Sequence, residues 1–120
     1  MIWFFNRYGE PQLFLNDQDR FIDKQGNHLG YIKNRTLIYN YNGKHCGWIE
    51  GFVIRDLYGH TAGFCSYSQD SPTPIFPIKR MTPMTPMVRM VPMAKMLQMQ
   101  KMKPLKSFGW SPASLIQLFN

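Results

Sequence analysis

The sequence is poor in acidic residues, in cysteine and in long apolar runs, and each shortage excludes a class of protein. Only seven of its 120 residues are Asp or Glu, which leaves few candidates for catalysis by paired carboxylates. The two cysteines are too few for a disulfide framework, so we expect free thiols in a cytoplasmic protein. No stretch has the length and apolar character of a membrane span or a signal peptide, so no membrane association is expected.

The basic residues are concentrated in the second half of the chain. Residues 1–68 contain seven Lys or Arg and six Asp or Glu, whereas residues 69–120 contain seven Lys or Arg and one acidic residue, Asp70. The formal net charge of +7 therefore comes mainly from the C-terminal part. A basic segment of this kind is compatible with binding to nucleic acid or another polyanion.

One hairpin pattern recurs four times within residues 1–68. Each copy has an apolar strand, then Asn or Asp, two variable residues and Gly. The side chain of Asn or Asp can start a type I turn, and Gly three residues later suits the left-handed conformation that closes a hairpin with a bulge. The predicted turn residues are Asn6, Gly9, Asp23, Gly26, Asn40, Gly43, Asp56 and Gly59.

The number of copies bears on how the hairpins assemble. An isolated hairpin is marginally stable in water, so the copies have to cover one another. A linear solenoid and a closed ring of four both meet this requirement, and closure also removes exposed strand edges. We therefore predict a mostly β protein in which four consecutive β-hairpin repeats have pseudo-four-fold symmetry.

The repeat resembles the four-fold beta flower family of small bacterial proteins. The resemblance covers about residues 2–66, and in the third copy its pattern of apolar residues, turn and Gly-aromatic pair is Ile38-Tyr-Asn-Tyr-Asn-Gly-Lys-His-Cys-Gly-Trp48. The single hairpin is also similar to WG-type repeats and to wall-binding choline repeats, whose arrays are usually longer. The resemblance implies a fold, but no activity, cofactor or functional residue.

A second regularity follows a segment rich in Ser and Pro after residue 68. Apolar residues occupy every third position from 75 to 108, and we call these twelve residues the methionine row: Ile75, Ile78, Met81, Met84, Met87, Met90, Met93, Met96, Met99, Met102, Leu105 and Phe108. A period of three fits polyproline II better than a strand or an α-helix. We predict that residues 69–110, the tail, begin with a linker and continue as an extended segment that wraps the hairpins, with the methionines packed against them. A short α-helix from Ala94 to Lys103 and a tail that projects from the hairpins are the alternatives.

The last ten residues, 111–120, are predicted to form a short helix. Ser111 is a suitable N-cap, and Pro112 stands at the first helical position. Leu115, Ile116 and Phe119 would then form an apolar stripe that docks on the hairpins.

Three sets of residues are candidates for binding. His28 and His45 share one repeat position and Cys46 follows, so a ring could bring them together as metal ligands. The Met-x-x-Met run offers thioether ligands suited to Cu(I). The cations that could bind a polyanion are Lys79, Arg80, Arg89, Lys95, Lys101, Lys103 and Lys106.

Folding offers a simpler explanation for each set: histidines that follow a turn, methionines that pack, and cations on a solvated edge. No catalytic motif and no cofactor site is found. We therefore expect a small non-catalytic structural or protein-interaction module with a protein partner. Nucleic-acid or polyanion binding through the basic tail, and metal binding, are the alternatives.

Overall fold

The fold is one antiparallel sheet of eight strands that pair in chain order, seen in a computed structural model of all 120 residues. Beyond the last strand, Phe64 exchanges two main-chain hydrogen bonds with Phe5, at 2.8 and 3.1 Å, so the sheet is nearly closed into a barrel. The prediction of a mostly β protein made of consecutive hairpins is confirmed. The strands are β1 (Ile2–Phe5), β2 (Pro11–Leu15), β3 (Arg20–Asp23), β4 (His28–Lys33), β5 (Leu37–Asn40), β6 (His45–Glu50), β7 (Val53–Arg55) and β8 (Thr61–Gly63).

The predicted turn residues form the β1–β2, β3–β4, β5–β6 and β7–β8 turns. In each turn the Asn or Asp side chain accepts main-chain N–H groups from the residues two and four positions later, at 2.9 or 3.0 Å. The Gly that follows has a φ between 76° and 87°. A fifth turn of this kind was not predicted: Asn16 accepts from Gln18 and Arg20, and Asp19, with a φ of 59°, takes the place of Gly.

Glycines inside the strands allow two different close approaches. A Cβ atom added at Gly47 would lie 2.2 Å from the carbonyl oxygen of Arg55 in the next hairpin. One added at Gly63 would lie 2.8 Å from the side chain of Leu115, near the C-terminus. The strand glycines thus make room both for neighbouring hairpins and for the C-terminal segment.

The main core contains thirteen buried residues from the strands and the C-terminal segment, including fully buried Phe4, Phe21, Ile38 and Ile54. Burial of these side chains provides the main stabilisation of the barrel. A second cluster of Leu37, Tyr39 and Trp48 lies where Leu97 of the tail packs.

The C-terminal helix is shorter than predicted. A single 3₁₀ helix spans Ile116–Phe119, and Ser111 does not cap it, because the Ser111 N–H donates to the carbonyl oxygen of Thr61 at 2.8 Å. The buried side chains are Leu115, Leu118 and Phe119, so Leu118 takes the place predicted for Ile116. No helix in the structure is long and apolar enough to cross a membrane.

The tail forms no helix, so the helix considered for residues 94–103 is absent. Its main chain contacts the four predicted turns one after another. The N–H groups of Arg80, Arg89, Gln98 and Ser107 donate, at 2.7 to 3.1 Å, to the carbonyl oxygens of Gly9, Gly26, Gly43 and Gly59 respectively. Successive donors are nine residues apart, so the tail advances nine residues for each hairpin.

Candidate interaction surface

The side chains of the methionine row face the solvent. Eleven of the twelve are 89–96% exposed, and the last, Phe108, is 70% exposed. The prediction that the methionines pack against the hairpins is therefore wrong. The contacts with the hairpins come from the positions directly before and directly after the row residues, which we call the two edges that flank the row.

The position before each row residue directs its main-chain nitrogen toward the hairpins. Six of these twelve positions donate an N–H to a hairpin acceptor: Arg80, Arg89, Lys95, Gln98, Lys101 and Ser107. The other six are proline, which has no N–H to donate: Pro74, Pro77, Pro83, Pro86, Pro92 and Pro104. Along this edge of the tail, residues with an N–H group therefore stand where the hairpins offer an acceptor, and proline stands at the other positions.

Two apolar side chains in the position after a row residue pack on the hairpins. Phe76 stacks on Phe64 with 4.4 Å between ring centroids and 3° between ring planes. Leu97 packs on the cluster that contains Trp48. These contacts bury apolar surface of the tail while the methionine row stays in water.

Each turn glycine also faces a carbonyl group of the tail. A Cβ atom added at these glycines would lie 2.0 to 2.3 Å from the carbonyl oxygens of Ile78, Met87, Met96 and Leu105. Glycine is therefore required at the four turns for two reasons, namely its positive φ and the closeness of the tail. The row residues contribute main-chain atoms to this contact and keep their side chains free.

The two histidines proposed as metal ligands instead hold the tail. The Nε2–H of His28 donates to the carbonyl oxygen of Arg89 at 2.9 Å. His45 is buried; its Nε2–H donates to the carbonyl oxygen of Gly47 at 2.8 Å, and its Nδ1 accepts the N–H of Lys101 at 2.9 Å. Burial lowers the pKa of His45, which keeps the imidazole neutral and able to accept this bond.

Cys46, the third metal candidate, lies in the main core. Burial raises the pKa of its thiol to about 11, so the thiolate that metal ions prefer is disfavoured. The structure brings no group of three or more His, Cys, Asp or Glu side chains into an arrangement that could hold a metal ion.

The seven tail cations fall into two sets. Arg80, Lys103 and Lys106 form ion pairs with acidic residues of the protein, and Lys106 lies 2.7 Å from Asp70. The other four are exposed and form no ion pair: Lys79, Arg89, Lys95 and Lys101. Only this second set offers uncompensated positive charge to a partner.

A buried arginine that was not predicted ties the tail to the fourth hairpin. Arg55 is fully buried and donates to the carboxylate of Asp70 at 3.1 Å, to Pro72 at the beginning of the tail, and to Ser107 near its end. Burial alone would raise the pKa of Asp70, but hydrogen bonds from Lys106 and Arg55 hold it below its ordinary value. Arg55 stands where the other copies have Phe, Ile or Tyr, and this difference was the available signal.

Comparison with known proteins gives one match. The family model described as 4-fold beta flower protein matches residues 2–119, which include the tail and the C-terminal segment as well as the hairpins. No curated protein matches the chain. No solved structure matches it either.

Proposed function

The chain belongs to the 4-fold beta flower family, and because this family description specifies a fold and no activity, we propose a function from the geometry of the methionine row. The protein is a non-catalytic interaction module that binds another protein through this row. The hairpin barrel serves as the support that holds the row in place.

The proposed architecture is a pseudo-four-fold body encircled by a polyproline-II-like tail. At about 3.1 Å per residue, the 27 steps along the chain from Ile78 to Leu105 would span about 84 Å. The molecule measures 36 × 36 × 22 Å, and three quarters of the perimeter of a circle of that width is about 85 Å. This agreement, with one turn contact every nine residues, supports an encircling tail.

The observation that carries the proposal is the exposure of the row. Exposed apolar side chains on soluble monomers are normally scattered singly, whereas here twelve recur at regular intervals along one segment. None of the row side chains is buried, so the fold does not account for their apolar character. Methionine is flexible and polarisable, and it is common on surfaces that adapt to a protein partner.

The charges next to the row indicate the chemistry of the partner. Arg89, Lys95 and Lys101 each directly precede a methionine of the row, and all three are exposed without an ion pair. A matching partner surface is apolar with acidic residues at its border. Single-stranded nucleic acid fits less well, because no aromatic side chain lies between Phe76 and Phe108 on which bases could stack.

Two variants of the full chain test this proposal. The row variant replaces the eight row methionines by Gln, and the charge variant replaces Arg89, Lys95 and Lys101 by Gln. Tyr58→Gln, which changes an exposed side chain outside the row, is the matched control. Proteins captured from a lysate by the parent chain are identified, purified and titrated directly, beside RNA and anionic lipid vesicles.

We expect one acidic protein that binds the parent and the control equally. The row variant should lose this binding, and the charge variant should weaken it most at low salt. Equal binding of the same protein by parent and row variant would refute the proposal. Binding to RNA or vesicles that the row variant keeps and the charge variant loses would assign the polyanion function instead.

A further inference from the structure

The methionine row has a second property, which does not depend on the identity of a partner. Its eight thioether sulfurs lie on side chains that are exposed to water along their length. The only other methionine, Met1, lies outside the row. We propose that the row is a site of reversible oxidation by hydroperoxides, which converts its methionines to methionine sulfoxide while the fold stays intact.

The reaction uses a hydroperoxide as the oxidant. A lone pair of the thioether sulfur attacks one peroxide oxygen, an S–O bond forms and the O–O bond breaks. The departing oxygen takes up a proton and leaves as water or an alcohol, so sulfur loses two electrons and the peroxide gains them. A sulfoxide reductase with a dithiol reverses the change and releases water, with the dithiol becoming a disulfide.

The position of the cysteines makes the row the first target. A cysteine reacts with peroxide through its thiolate, so its reactivity follows exposure and pKa. Cys46 and Cys65 are both buried, and burial raises the pKa of both thiols. The side chains that usually react first are therefore protected, whereas the thioethers are in water.

Oxidation of the row should leave the fold unchanged. The tail is held by main-chain N–H groups, by main-chain carbonyl groups and by side chains on the two edges that flank the row. An added oxygen on a row sulfur points into solvent and meets no packed atom. Oxidation elsewhere often disrupts a core, but here it changes only the polarity of the surface.

The consequence is a surface that can change from apolar to polar. Each sulfoxide adds a strong dipole and a hydrogen-bond acceptor to the row, so oxidation reduces the apolar area available to a partner. If the proposed function is correct, oxidation releases the partner. If that function is wrong, the row still consumes peroxide at up to eight sites per chain.

The test treats the folded protein with limiting hydrogen peroxide and maps oxidised residues by peptide mass spectrometry. Free N-acetylmethionine amide and the protein in denaturant are the references. We expect oxidation at all eight row positions at rates within about three-fold of the free amino acid derivative. After brief treatment, alkylation under denaturing conditions should show both cysteines still reduced.

Further measurements separate this proposal from simple damage. The oxidised protein should elute earlier from a hydrophobic-interaction column, keep its near-ultraviolet circular dichroism, and return to its original elution after treatment with sulfoxide reductases. The row variant should take up one oxygen, at Met1. Row oxidation more than ten-fold slower than in the denatured protein, cysteine oxidation ahead of the row, or unfolding on oxidation would each overturn the proposal.

Discussion

Replacing Arg89 by proline tests whether the tail is held by its main-chain N–H groups. The Arg89 N–H donates to the carbonyl oxygen of Gly26, which is buried, at 2.9 Å. Proline removes the donor and puts its Cδ atom in the place of the amide hydrogen, so the tail has to move away from the turn. The rest of the site suits proline, because the same edge already carries proline at six other positions.

The expected loss of stability follows from two opposing effects. An unpaired buried carbonyl group costs about 1–3 kcal/mol, and the lost hydrogen bond is contained in that figure. Proline restricts the unfolded chain, which returns about 0.4–1 kcal/mol, whereas the displacement by Cδ adds a cost. The net decrease in the free energy of unfolding is about 1–3 kcal/mol, or a melting temperature lower by about 4–12 °C for a chain of this size.

Two controls separate the N–H group from the side chain and from proline itself. Arg89→Ala keeps the N–H and should change the free energy of unfolding by less than about 0.5 kcal/mol. Pro86→Ala, at a position where the tail makes no main-chain bond, should lower it by at most about 1 kcal/mol. Urea denaturation followed by circular dichroism measures all three variants. Equal stability of Arg89→Pro and Arg89→Ala would refute this account of how the tail is held.

Three further predictions concern other contacts of the tail. Gly43→Ala should lower the free energy of unfolding by about 2–3 kcal/mol in urea denaturation, since its positive φ and the adjacent tail carbonyl both oppose a side chain. His45 has a lowered pKa in the folded state. Its contribution to the free energy of unfolding is therefore present above its unfolded pKa of about 6.5 and is lost as pH falls below that value. Unfolding measured from pH 8 to 5 should show this loss in the parent and a smaller loss in His45→Gln. Arg55→Met should lower the free energy of unfolding by about 3–5 kcal/mol in thermal denaturation, because the carbonyl oxygens of Gly59, Pro72 and Ser107 lose a buried donor and Asp70 keeps only Lys106 as a charged partner.

The hairpins could be predicted because their signals are local. Asn40 and Gly43 form a turn through bonds between near neighbours in the chain, and the pattern recurs in four copies. The turn at Asn16 was missed because Asp19, rather than Gly, occupies the left-handed position. The C-terminal helix was placed too early because Ser111, although suited to cap a helix, hydrogen bonds to Thr61 across the fold.

Whether the methionine row faces the solvent or the hairpins could not be predicted from its period of three. In a polyproline II segment a spacing of three would place the methionines on one edge, but the spacing does not say which edge meets the hairpins. A signal was nevertheless present in the residues before the row. Arg80, Arg89, Gln98 and Ser107 interrupt the prolines at intervals of nine, and these are the four donors to the turn glycines. Buried Arg55 gave a weaker signal, because its partner Asp70 lies 15 residues away in the chain.

The three positions of the period-three pattern in the tail differ in what explains their residues, and the proposed function rests on this difference. One edge alternates between proline and donors because of the acceptors that it faces. A second edge has Phe76 and Leu97 because it packs on the hairpins. The methionine row has neither constraint, and for solubility alone polar side chains would serve better at every one of its positions. The folded chain leaves its apolar character unexplained, and this is the reason why we propose a protein partner and an oxidant in solution for the row.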